Sequence, residues 1–283
     1  MSRELHDHFF REAKRKGYVS RAAFKLIEID ERRKLLRRGD WVLDAGCAPG
    51  SWLQVIAERV APERSAARGG SRGPERPSDR GGRVVGIDLK DVDARRFGPA
   101  VRVVQGDIAE VSLGELLGPW ITERPGRPPF DAILSDMGPD TTGDRSGDSL
   151  HSVELAHVLL DRAPAWLRPG GNLVAKVYEG GAYPELLRRA RESFADARGF
   201  KPDASRAASV EIYIVCKGYS GSRDGPEGPQ GDRESERRGD AGGGAPRCPA
   251  VDPREAPLPR RRRPAGWSTQ GASGERPRSD GGG

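Results

Sequence analysis

Four acids follow short apolar runs in this chain. Asp44 closes Trp41-Val42-Leu43, and Asp88 closes Val84-Val85-Gly86-Ile87. Gly106-Asp107 follows the run 101–104, and Asp136 follows Ala132-Ile133-Leu134 and a serine. An apolar run ending in a carboxylate reads as a buried strand that delivers an acceptor to the edge of a sheet. In open α/β sheets, ligands bind at that edge. One such acid is more often a turn or cap residue, but a series of them after consecutive strands reads as a ligand-binding rim. The first lies in Asp44-Ala45-Gly46-Cys47-Ala48-Pro49-Gly50, a D-x-G-x-x-P-G loop. Glycines in such a loop let the backbone approach a ligand closely. A dinucleotide fingerprint, G-x-G-x-x-G, uses them to carry pyrophosphate to a helix N-terminus. Here Pro49 takes one glycine position and an acid precedes Gly46. An acid there suits a cationic amino group rather than a diphosphate, which favours S-adenosylmethionine over NAD. Asp88 is suited to ribose hydroxyls and Asp107 to an adenine exocyclic amine.

These acids need strands to hold them. From Trp41 onward, apolar runs at 41–43, 84–87, 101–104, 132–134, 173–177 and 212–215 alternate with amphipathic stretches such as 53–60. That alternation predicts an α/β fold with a mostly parallel sheet. Upstream, residues 5–38 carry helical spacing, with Ala22, Ala23, Leu26, Ile27 and Ile29 on one face and Leu35 and Leu36 extending it.

Two stretches interrupt the pattern. Residues 62–82 are Arg-, Gly- and Pro-rich and read as a solvated insert. Their removal restores the Asp44-to-Asp88 spacing to the roughly 20 residues expected of a strand–helix–strand unit. Residues 221–283 have little to bury and read as a disordered tail. The organisation expected is therefore a folded domain over 1–220, with the insert, and a tail over 221–283.

Net charge is +6, and residues 1–38 supply that excess alone, with 12 Lys/Arg against 6 Asp/Glu. A basic N-terminal region suits a polyanion. Arg11, Lys14, Arg15, Lys16 and Arg21 are the expected phosphate contacts. Arg32, Arg33, Lys34, Arg37 and Arg38 either extend the patch or are simply solvated. The three cysteines form no CxxC pair, and the reading is a reducing cytoplasm. No apolar run reaches the ~20 residues of a membrane span. His6 and His8 have no further ligands nearby in sequence, so no metal is expected.

In combination these stretches resemble the FtsJ/RrmJ-like ribosomal RNA 2′-O-methyltransferases. The matching segments are DHFFREAKRKGYVSRAAFKLIEID, WVLDAGCAPGSW, VVGIDL, VQGDI, ILSDMGPDTTGDRSGD, LRPGGNLVAKVYEG and FKPDASRAASVEIYIVCKG, in order over roughly residues 5–219. The resemblance implies a Rossmann-like methyltransferase fold, a mostly parallel seven-stranded sheet with a reversed last strand flanked by helices. It implies S-adenosylmethionine as cofactor, held by Gly50, Trp52, Asp88, Asp107 and Asp136, with Asp44 and Gly46 in the same loop. It also implies a Lys-Asp-Lys-Glu catalytic set, which maps onto Lys25, Asp136, Lys176 and Glu211. Ser51 stands where many members have a second glycine. Gly138 and Asp140 replace the more usual Ala and Asn.

The chemistry follows from that set. A ribose 2′-hydroxyl becomes a competent nucleophile only as its proton is removed while the oxygen is aligned. A lysine, with a reference pKa of about 10.4, takes a proton only when neutral. Lys176 is assigned as proton acceptor, Lys25 as the group orienting the hydroxyl, and Asp136 and Glu211 as holders of the lysines. The implied substrate is a uridine of 23S-type large-subunit ribosomal RNA in the assembled subunit, and the enzyme is expected to act as a monomer. The alternatives are the same chemistry on transfer RNA or an mRNA cap, and a non-catalytic RNA-binding assembly factor.

Overall fold

The computed structural model describes residues 2–61, 81–125, 127–139, 143–205 and 209–221. The expected insert lies outside these residues except for Gly81 and Gly82, and the expected tail does so beyond Gly221. In chain order the elements are α1 (Ser2–Lys16), α2 (Ala22–Arg33), β1 (Trp41–Ala45), α3 (Ser51–Val60), β2 (Arg83–Asp88), β3 (Val101–Gln105), α4 (Leu113–Leu117), β4 (Phe130–Ser135), α5 (Arg145–Trp166), β5 (Leu167–Tyr178), α6 (Tyr183–Ser193), β6 (Phe194–Phe200) and β7 (Glu211–Tyr219).

The seven strands form one sheet in the order β3-β2-β1-β4-β5-β7-β6. All neighbours are parallel except β7, which runs antiparallel to both β5 and β6. The central strands β1 and β4 are buried at every position, as strands covered on both faces must be. Their side chains alternate between two cores. Leu43 and Ile133 pack with Leu116, Leu159 and Trp166 on the α4–α5–α6 side. Val42, Ala132 and Leu134 pack with Leu26, Ile29, Leu53 and Ile56 on the α2–α3 side. The architecture is the Rossmann-like sheet expected, with the last strand reversed.

Two departures from the sequence reading have local causes. The helical stretch 5–38 is two helices, parted after Gly17, whose φ of +75° is a left-handed conformation that glycine adopts without strain. Helix α2 stops at Lys34, also left-handed, and the Asp30 carboxylate accepts the N–H groups of Leu35 (3.0 Å) and Leu36 (2.9 Å). Leu35 is buried, but from a non-helical segment. Strand β6 is not among the apolar runs, because Asp196, Arg198 and Gly199 break up its apolar residues Phe194, Ala195, Ala197 and Phe200 at the sheet edge.

Candidate active site

The carboxyl ends of β1, β2, β3 and β4 carry Asp44, Asp88, Asp107 and Asp136 to one edge of the sheet. Because β7 runs backwards, its first residue, Glu211, arrives at the edge where β5 finishes. One reversed strand thus adds a carboxylate that an all-parallel sheet would have placed at the opposite end.

On the β1–β3 side, the loop after β1 is built around two left-handed glycines. A Cβ on Gly46 would strike Met137, and one on Gly50 would strike the Phe97 ring. Asp88 fastens the loop by accepting the Ala48 N–H at 2.9 Å, while its other oxygen takes the Lys90 N–H at 2.9 Å. Asp107 accepts the Ala109 N–H at 2.8 Å. Asp44 is fully buried, and neither carboxylate oxygen has a well-formed hydrogen bond. Burial pushes its carboxyl well above the usual carboxylate range, and the charges of Asp136 and Asp88 add to the rise. The nearby Leu53 N–H opposes it only weakly, from a poor angle or distance for a bond. A buried carboxylate without good donors is costly unless a cation meets it. Cys47 in the same loop is pushed up by burial and by Asp44 and Asp88, so it stays a neutral thiol rather than a nucleophile.

On the β4–β5–β7 side the charges are matched. Lys176 donates to the Asp136 carbonyl at 2.6 Å and lies 3.3 Å from its carboxylate. Lys25, on the buried face of α2, meets Glu211 at 2.6 Å. Both lysines and both carboxylates are mostly buried. Tyr213, fully buried, links the two pairs: its hydroxyl donates to Asp136 Oδ1 at 2.6 Å and lies 3.3 Å from Glu211 Oε1. Burial, then the charges of Asp136 and Glu211, raise the phenol far above its usual range, so it remains a donor. Lys25 also sits 5.9 Å from the Tyr213 ring centroid, within cation–π range.

The four residues expected to be catalytic therefore come together. So do Asp44, Gly46, Gly50, Asp88, Asp107 and Asp136 along the strand ends. Trp52 differs in how it takes part. Its indole is 2% exposed, donates to the Ala22 carbonyl at 3.0 Å and stacks on Tyr213 at 5.7 Å. Its side chain braces α2 and Tyr213. Sequence reasoning missed Tyr213. The available signal was the period of two that sets it on the same face as Glu211.

The basic N-terminal residues fall into two groups. Arg11, Lys14, Arg15 and Lys16 are exposed on α1, which packs on α2 through Phe9 and Phe24. Arg32 and Arg33 are engaged, with Glu28 and Asp203 and with Asp196 respectively. Lys34 and Arg37 line a cavity of about 380 Å³ with Asp40, Asp131 and Arg168, at the opposite end of the sheet. Arg33, Lys34 and Arg37 thus sit away from the strand-end site, whereas Arg32 lies over Phe200 at the carboxyl end of β6. Among the described residues there is no cluster with metal-ligand character, and no helix is long and apolar enough to cross a membrane.

The profile of the FtsJ-like methyltransferase family matches residues 18–219. The chain is 41% identical over 215 residues to the ribosomal RNA large subunit methyltransferase E of Syntrophobacter fumaroxidans, covering 76% of this chain and 96% of that protein. It is 39% identical to the protein of the same name from Acidiphilium cryptum, covering 77% and 84%. Among solved structures, a ribosomal RNA methyltransferase from Plasmodium falciparum superposes with a TM-score of 0.57 at 29% identity, covering 72% of this chain and all of that one. Sheet order, strand-end acids and these relatives agree: the chain belongs to the FtsJ-like methyltransferase family.

Proposed function

We propose that this enzyme transfers a methyl group from S-adenosylmethionine to the 2′-hydroxyl of a uridine ribose in large-subunit ribosomal RNA, within the cytoplasmic ribosomal particle. The observation that carries this reading is the pairing of two buried lysines with two carboxylates through Tyr213, beside a loop that holds a poorly satisfied buried carboxylate. The first group suits proton removal from a weakly acidic hydroxyl. The second suits a methyl donor that bears an amino cation.

Asp44, Gly46, Gly50, the Trp52 backbone, Asp88, Asp107 and Asp136 would hold the cofactor, with the unsatisfied Asp44 carboxylate as the specific sign of fit. When bound, S-adenosylmethionine supplies an electrophilic methyl group. Every other part of the reaction belongs to the chain. Lys176, at the end of β5, accepts the hydroxyl proton at Nζ when it is neutral. The Asp136 carbonyl and carboxylate fix where that nitrogen points. Lys25 lies across from it and stabilises charge developing on the ribose oxygen, anchored by Glu211. Tyr213 holds Asp136 and Glu211 in register, so the two lysines keep a fixed relation. Exposed cations on α1 supply affinity for phosphates rather than a sequence code.

The test is methyl transfer from labelled S-adenosylmethionine to unmodified large ribosomal subunits and to free ribosomal RNA. Label recovered as a 2′-O-methyluridine supports the reading. Binding of S-adenosylmethionine without transfer to either substrate refutes it in favour of an assembly factor.

A further inference from the structure

One polar side chain in the site has no part in the scheme above. Tyr178 is the last residue of β5, and it faces Glu211 across the ladder just as Lys176 faces Tyr213. Side chains two apart on a strand share a face. Lys176, Tyr178, Glu211 and Tyr213 therefore form a two-by-two block at the strand-end edge.

Three observations give the Tyr178 hydroxyl a place. Its backbone is clamped on both sides by α5: the Tyr178 N–H donates to Ser152 Oγ at 2.8 Å, and Ser149 Oγ donates to the Tyr178 carbonyl at 2.9 Å. Its hydroxyl lies beside Lys176. A Cβ on Gly138 would stand 3.2 Å from the Tyr178 oxygen and 3.2 Å from Lys176 Nζ, tighter than side chains normally pack. The glycine at 138 therefore leaves both atoms open on one side. Finally, the half-buried phenol makes no hydrogen bond of its own among the described residues. Burial raises its pKa first, then the charges of Glu211, Asp136 and Asp148, against Lys25. It is therefore a neutral O–H donor across the working pH range.

We propose that Tyr178 contacts the substrate, its hydroxyl donating to the 3′ oxygen of the ribose whose 2′ oxygen lies at Lys176. This rests on the ribose-methylation reading. A neutral donor one strand step from the proton acceptor fixes which way the sugar faces, which no charged member of the cluster does. Gly138 and Tyr178 then form a matched pair, the small residue making room for the hydroxyl.

The experiment is steady-state methylation of unmodified large ribosomal subunits by wild type, Tyr178→Phe, Gly138→Ala and the double variant. S-adenosylmethionine affinity and Tm are measured on each. Tyr178→Phe is expected to lower kcat/KM for the subunit about five- to tenfold, the worth of one hydrogen bond, with cofactor affinity and Tm unchanged. Gly138→Ala is expected to cost activity in both backgrounds, because its Cβ also crowds Lys176 Nζ, but less when combined with Tyr178→Phe, a non-additive pair. Wild-type kinetics in Tyr178→Phe, or a loss that follows Tm or cofactor affinity, overturns the proposal while ribose methylation stands. Wild type that methylates no RNA overturns the reading beneath it instead.

Discussion

The two halves of the strand-end edge handle charge in opposite ways. Around β1 and β2 the structure buries a carboxylate, Asp44, with no well-placed donor for either oxygen. Around β4, β5 and β7 the charges answer one another: Lys176 with Asp136, Lys25 with Glu211, and Tyr213 between them. The contrast separates two tasks. A site that must take in a cation can hold an unmet acceptor until it arrives. A site that must move one proton at a fixed place needs its own groups immobilised beforehand, because misplacement is costly in rate.

Breaking the balanced half has the largest consequence. Lys176→Ala is expected to lower methyl transfer by about 10²- to 10⁴-fold, the usual worth of a positioned acid–base group, with S-adenosylmethionine affinity retained; isotope transfer beside calorimetry checks both. Next comes the buried pair. Glu211→Ala leaves Lys25 charged and unpartnered and is expected to lose about 3–5 kcal/mol of stability. Adding Lys25→Met should return much of it, as denaturant unfolding of the single and double variants would show.

The unbalanced half should respond with the opposite sign. Asp44→Asn is expected to weaken cofactor binding about tenfold or more and yet to raise the Tm of the cofactor-free protein. The Asp44 carboxyl is raised in the folded state, so the folded chain holds its proton where the unfolded chain has released it. Wild-type stability without cofactor therefore falls as pH climbs from the ordinary carboxylate range through the raised value. The Asn variant should lack that fall. Tm measured against pH, with and without cofactor, reads it directly.

The smallest effect lies away from the edge. Asp40 is pushed up to about 6, by burial and then by the charge of Asp131. Its contribution is fully present below the ordinary carboxylate range and is lost as pH rises through about 6. Asp40→Asn should flatten that part of the stability profile without touching methyl transfer. A change in transfer rate would mean that the two ends of the sheet are coupled.

How much of this could be read beforehand differs between the same two halves. The proposed cofactor side is local: each acid follows its own strand, so periodicity and loop composition were enough to place Asp44, Asp88 and Asp107 at strand ends. The proposed catalytic side is assembled from α2, β4, β5 and β7, residues far apart in the chain, and only the family resemblance grouped Lys25 with Glu211. Tyr213 escaped both routes, because a tyrosine within Ile212–Val215 looks like any apolar strand residue until its hydroxyl is seen between two carboxylates. The stacking of Trp52 on Tyr213 was hidden for a related reason: it is a tertiary fact. Strand β6 was hidden because an edge strand can carry charges, and Asp196 and Arg198 interrupt its apolar residues.

At the far end of α3, a Cβ on Gly82 would strike the Val60 carbonyl, and that carbonyl already accepts the Gly39 N–H at 2.8 Å. The chain therefore leaves α3 and re-enters at β2 through points that touch. Closing a loop between touching ends costs only about 0.6 kcal/mol more for each doubling of its length. The junction is a natural splice point, where a reporter or affinity module could replace residues 62–80 on the side of the molecule away from the strand-end edge.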